Sequence, residues 1–135
     1  MEWVVRAGIA TPKRLQEGYV AHKAIPGLYG FSVQYHAGLT VDELARAGQF
    51  PNHQISIALD ADLAASVAPL GYAIRLVFSP GRGYHHTFAV LYDAPSGTIL
   101  RKLPDDAARA LGQTFTQQLN PHPVPRGPKG GMQQP

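Results

Sequence analysis

The chain contains no cysteine. That excludes disulfide staples, thiolate zinc sites and a cysteine nucleophile. No apolar run approaches the ~18 residues that a membrane helix needs. The opening residues, Met1-Glu2-Trp3-Val4-Val5-Arg6, show no basic stretch followed by an apolar segment. A signal peptide is therefore not expected, and any export would take another route. Glutamate is scarce, with Glu2, Glu17 and Glu43 its only positions. A hydrolase built on paired carboxylates has little to draw on. No Gly-x-Ser-x-Gly elbow is present, so a serine triad is not indicated. Gly81-x-Gly83 is too short for a dinucleotide fingerprint, which needs G-x-G-x-x-G between a strand and a helix.

The remainder is ordinary globular material. Hydrophobic residues make up 44% of the 135 positions, enough for one domain with a core. The net charge of +3 includes Arg126 and Lys129 near the end, so residues 1–119 carry 10 basic and 9 acidic side chains. A nucleic-acid footprint needs clustered Lys and Arg that release phosphate counterions. The only doublets, Lys13-Arg14 and Arg101-Lys102, read as solvated surface.

Periodicity places the elements. Trp3 to Arg6 reads as a first strand. Thr11-Pro12 opens a short helix that ends near Gly18. Residues 22–30 read as a loop, and Phe31 to Tyr35 alternates as a strand, with Ser32 and Gln34 on the polar side. Thr40-Val41-Asp42-Glu43 is a capping box for a helix that stops at Gly48. A strand over Gln54–Leu59, a short Ala-rich helix after Asp60 and a strand over Tyr72–Phe78 follow. Then come a turn at Ser79-Pro80-Gly81 and a strand over residues 85–92. A turn at Asp93–Gly97 suggests a hairpin into Thr98-Ile99-Leu100. Pro104-Asp105-Asp106 opens a helix with Ala108, Leu111, Phe115 and Leu119 on one face. From Asn120 onward, eight of sixteen residues are Pro or Gly, and a flexible tail over 120–135 is expected. The expected class is α+β: a small, split, twisted, mostly antiparallel sheet with about three short helices.

The stretch Gly81-Arg82-Gly83-Tyr84-His85-His86-Thr87 stands out. It puts two histidines at the mouth of an apolar strand, where a rigid sheet holds polar groups within reach of a ligand. Alternation assigns His86 the face of Phe88, Val90 and Tyr92, and His85 that of Thr87. One of them then faces the core and one faces out, either as acid/base groups or as one buried, hydrogen-bonded histidine and one surface histidine. No metal site is expected, because neighbouring strand residues diverge and no third ligand sits at suitable spacing. Arg6 closes a strand beside Ala7-Gly8 and can reach a phosphate with its planar fork, or be a surface arginine. Ser32 follows Gly30 and can face a cleft, or simply water. Tyr29 and Tyr84 flank glycine-containing loops and can stack on a base or nicotinamide ring, or pack in the core.

Val5-Arg6-Ala7-Gly8, Gly30-Phe31-Ser32-Val33 and His85-His86-Thr87, followed by a helix, come in an order that resembles small bacterial effector toxins of the ADP-ribosyltransferase-like type. The similarity is to those delivered by the type VI secretion system and spans roughly residues 4–115. It implies NAD as substrate, Arg6 on the pyrophosphate, Ser32 lining the nicotinamide cleft, and His85 or His86 at its edge. It also implies a cytoplasmic location in the acting cell, delivery by a secretion system without a signal peptide, and a cognate immunity or antitoxin protein as partner. The chain departs from the family pattern in having no glutamate after Glu43. Two readings stand beside this one. The first is a small ribonuclease toxin using His85 or His86 as acid and base, with Arg82 or Arg75 on the phosphate of an RNA target. The second is a non-enzymatic binding or immunity module.

Overall fold

The structure is a computed structural model and describes residues 2–79 and 83–125. It is α+β. The strands are β1 (Trp3–Ala7), β2 (Val20–Ala21), β3 (Tyr29–Tyr35), β4 (Gln54–Leu59), β5 (Tyr72–Phe78), β6 (His86–Asp93) and β7 (Thr116–Leu119). The helices are α1 (Pro12–Gly18), α2 (Val41–Gly48), α3 (Asp60–Val67) and α4 (Asp105–Thr114), with a 3-10 turn at Ala68–Leu70. Their ends follow local chemistry. The Thr11 side chain accepts from Arg14 N ahead of Pro12, and Thr40 and Glu43 exchange the two bonds of a capping box.

The strands form one antiparallel sheet in the order β5-β6-β3-β1-β4-β7, with β2 also against β3. Both faces are covered. Val4, Phe31, Val33, Ala89 and Leu91 meet Leu15 of α1, Leu63 of α3 and Leu111 of α4 in the main core. On the opposite face Val5 and Ile55 meet Leu44 and Ala45 of α2, while Phe88 and Val90 pack with Leu28.

The sheet is split beside β3. β1 pairs with its end, at Val4↔Tyr35 and Val5↔Gln34. β2 pairs with its beginning, at Val20↔Gly30 and Ala21↔Tyr29. Residues 31–33 lie between these two pairings, and the backbone groups there must find other partners.

Several expectations change. The last helix ends at Thr114 rather than running to residue 119, and Phe115 turns extended at φ −65°, ψ 137°. Residues 116–119 become β7, because the free edge of β4 supplies a hydrogen-bonding ladder that outweighs the helical repeat; Leu119 is consequently 74% exposed. Among the described residues there are four α-helices, against about three expected. The segment 98–100 makes a single bridge, Tyr92↔Ile99, and no strand. β6 starts at His86 rather than at residue 85, because His85 adopts the left-handed region at φ +62°. Within the expected tail, Asn120 is buried, its amide donates to His53 O at 2.8 Å, and Val124 N donates to Phe50 O at 2.9 Å. Residues 126–135, and Pro80, Gly81 and Arg82 of the loop before β6, lie outside the described residues.

Candidate functional site

Arg6 occupies the split. Where β1 leaves β3, the carbonyl of Ser32 has no strand partner on that side, and Arg6 Nη1 donates to it at 2.6 Å. The guanidinium carbon lies 5.3 Å from the centre of the Phe31 ring, within cation–π range. Gly18 closes α1 against the same group: a Cβ there would stand 2.6 Å from Arg6 Nη2, so glycine is what lets the helix end so close. Among the described residues no carboxylate lies within ion-pair distance of Arg6. Burial, assisted by the charge of Arg14, lowers its pKa to about 10. A desolvated cation without a counter-charge attracts an anion more strongly than a solvated one does.

Two further residues named from the sequence stand beside it. His86 Nε2 lies 3.0 Å from Ser32 Oγ, across the β3–β6 pairing. Arg6, Ser32 and His86, with Gln34 and Phe50, line a cavity of about 170 Å³. Gln34 is buried, and its Oε1 has no hydrogen-bond partner among the described residues. An amide oxygen kept dry and unmatched costs ~1–3 kcal/mol, which a donor placed in the cavity would offset. The cleft thus offers a cation, a hydroxyl beside an imidazole, an acceptor and one aromatic wall.

The other residues named from the sequence lie elsewhere. Gly8 turns the chain after β1 at φ +72°, and its carbonyl accepts from the buried Ser56 hydroxyl at 2.7 Å. It borders a separate, open depression with Arg14 and Asn52. Tyr29 starts β3 at the far end of the sheet, with the Arg101 guanidinium 5.9 Å from its ring centre. Gly30 is a packing residue: a Cβ there would stand 2.6 Å from the carbonyl oxygen of Ala89. Tyr84 and His85 border a second cavity, of about 510 Å³, with His36 and Phe78. Arg75 lies over the Tyr92 ring at 5.0 Å. The structure therefore separates the two adjacent histidines. His86 joins Arg6 and Ser32, while His85 faces another cavity.

Gln34, Phe50 and His22 gave little signal in the sequence. Gln34 was legible as a polar strand position, but Phe50 reaches the cleft from the loop after α2. His22 Nδ1 accepts from both Ala24 N and Ile25 N at 3.0 Å. Its proton is therefore on Nε2, which donates to Ser79 Oγ at 2.6 Å. Those bonds make it a loop organiser, with its ring edge-on to Phe88 at 4.8 Å.

Among the described residues no group of three or more His, Asp or Glu is placed to hold a metal ion. Among them, too, no helix is long and apolar enough to cross a membrane. No family model, curated protein or solved structure matches the chain.

Proposed function

We propose that this protein acts on NAD, in the manner of a bacterial toxin of ADP-ribosyltransferase-like type. The observation that carries the reading is the convergence of Arg6, Ser32 and His86 on one cavity at the split in the sheet. Arg6, short of a counter-charge, holds the pyrophosphate. The nicotinamide ring enters beside Phe50, and its carboxamide N–H donates to Gln34 Oε1. The bond between ribose C1′ and the pyridinium nitrogen breaks, and nicotinamide leaves with the electron pair. The hydroxyl oxygen of Ser32 and the amide oxygen of Gln34 face the positive charge that develops on the sugar. Water or a nucleophile on a target then bonds to C1′, and its proton passes through the Ser32 hydroxyl to His86. Water gives NAD breakdown, and a target nucleophile gives ADP-ribosyl transfer. A cognate immunity protein that covers this cleft completes the reading, and the resemblance noted in the sequence supports it.

The test is release of nicotinamide from NAD by the purified chain, beside Arg6→Ala. Release by the parent and its loss in the variant supports the reading; equal release by both, or none by either, overturns it. A second reading rests on the same pairing of a proton carrier with a phosphate-holding cation: cleavage of RNA at the His86–Arg6 cleft. Degradation of RNA with NAD left intact selects it. Inertness toward both, together with unimpaired growth of bacteria that express the soluble chain, selects a binding or immunity module.

A further inference from the structure

The cavity bordered by Phe78, Tyr84, His36 and His85 lies apart from the Arg6 cleft. It has its own logic. β6 runs between β5 and β3, so Thr87 pairs with Phe78 on one side and Val33 on the other, one strand spacing of about 4.8 Å away, and its hydroxyl lies 3.5 Å from the carbonyl oxygen of Tyr35. Thr87 and Leu76 form an apolar floor. Above it stands a series of rings: Tyr84 lies 6.2 Å from His85, and His85 meets His36 edge to face at 4.7 Å. The left-handed backbone of His85, at φ +62°, takes it out of the strand and sets it in this series. Phe78 and Tyr84 are 60% and 82% exposed, although each is a large ring at the border of an apolar hollow. Such rings lose least by exposure when a flat partner covers them.

The polar groups narrow the choice of partner. His36 Nδ1 lies 3.0 Å from the carbonyl oxygen of Ala37. A carbonyl only accepts, so Nδ1 carries the proton and Nε2 of the neutral ring remains an acceptor. No arginine or lysine borders the cavity among the described residues, and the polar groups those residues offer are imidazoles and a hydroxyl. Its volume of about 510 Å³ exceeds that of the Arg6 cleft and accommodates a fused two-ring heterocycle. From these groups we infer that this cavity binds a purine base, stacked on Tyr84 and Phe78 with its exocyclic amine donating to His36 Nε2. Base stacking on exposed aromatic rings gives such a site affinity without any ionic contact.

Adenosine is the probe, because it lacks a phosphate and so reports on this cavity whatever becomes of the Arg6 reading. Millimolar adenosine should shift the imidazole proton resonances of His36 and His85 and leave that of His53 in place. Tyr84→Ala and Phe78→Ala should each weaken the response about tenfold. Uridine, with one ring and no exocyclic amine, should act more weakly. Two further arms identify the source of the base. If the purine belongs to a dinucleotide, Tyr84→Ala weakens NAD but leaves nicotinamide mononucleotide unchanged. If it belongs to RNA, oligoadenylate outcompetes adenosine and NAD does not. Absence of shifts at His36 and His85, or equal response in the parent and both alanine variants, overturns the proposal.

Discussion

The side chain of Arg6 hydrogen-bonds the backbone of Ser32, with Nη1 2.6 Å from the carbonyl oxygen, at the point where two strands part. The guanidinium serves there as a substitute strand. It satisfies a carbonyl that β1 no longer reaches, while its charge remains available to the cleft. Arg6→Ala removes both functions. Loss of the bond costs ~1–3 kcal/mol, partly offset because a desolvated charge disappears. The expected result is a folded variant of slightly lower stability whose NAD turnover falls at least about a hundredfold. Arg6→Lys keeps the charge but loses the planar fork, and should recover little. Urea unfolding and nicotinamide release, measured side by side, check both. A variant that unfolds outright would give Arg6 a structural role alone.

Much of this was legible in the sequence because it is local. The capping box at Thr40-Glu43, the alternation of Phe31 to Tyr35 and the polar strand position of Ser32 all reflect neighbours a few residues apart. What escaped depends on distant edges. Phe115 and Leu119 continue the helical repeat of α4, yet β4 has an open ladder and draws Thr116–Leu119 into the sheet. β2 is two residues long and exists because β3 offers it a partner. Alternation assigned His85 and His86 to opposite faces, and the structure sets them on separate cavities. The left-handed turn at His85 was not legible, because no residue pattern announces a positive φ at histidine. Of the candidate site, Arg6, Ser32 and His86 were visible as residue types at strand ends, whereas Phe50 reaches it from a loop.

Gly30 is fixed by a close approach. Its missing Cβ would lie 2.6 Å from the carbonyl oxygen of Ala89, and backbone in the middle of a sheet does not yield. Gly30→Ala should therefore destabilise by about 3 kcal/mol, at the upper end of the range for overpacking. Urea midpoints measure it. Gly38→Ala offers a contrast, since nothing lies within 4 Å of a Cβ there and the only cost is its φ of +85°.

Tyr19 predicts an alkaline limit. Its hydroxyl donates to Leu100 O at 2.8 Å and accepts from Leu91 N at 3.1 Å, which ties α1 to β6. Burial raises its pKa to about 12 from 10, with the bond to Leu91 opposing and the Tyr92 charge adding. The folded state thus holds this proton more tightly than the unfolded chain does. The stabilisation is complete below pH 10 and is lost as pH rises from 10 to 12. Tyr19→Phe should be less stable at neutral pH, because Leu91 N loses its acceptor, and should show a shallower decline above pH 10. Denaturant midpoints from pH 8 to 11 check this; parallel curves for parent and variant would refute the assignment.

Asn120 predicts that the C-terminal segment helps to shape the cleft. Its Nδ2 donates to Phe50 O at 3.2 Å and to Asn52 O at 2.9 Å, and its Oδ1 accepts from His122 N at 2.9 Å. His122 Nε2 in turn lies 2.9 Å from Asp42 Oδ1 on α2. The segment therefore fastens the loop that presents Phe50 to Arg6, Ser32 and His86. Asn120→Ala removes this donor from two part-buried carbonyls, of which Phe50 O keeps Val124 N, and should cost about 1 kcal/mol. Hydrogen exchange at the Val124 amide, which donates to Phe50 O, should accelerate well beyond that of the β3 and β6 amides. If Phe50 forms a wall for the nicotinamide ring, the same variant raises KM for NAD while changing kcat little, because the Arg6, Ser32 and His86 contacts remain. Unaltered exchange at Val124 would mean that His122 and Asp42 hold the segment without Asn120. A fall in kcat at constant KM would place Phe50 outside the binding wall.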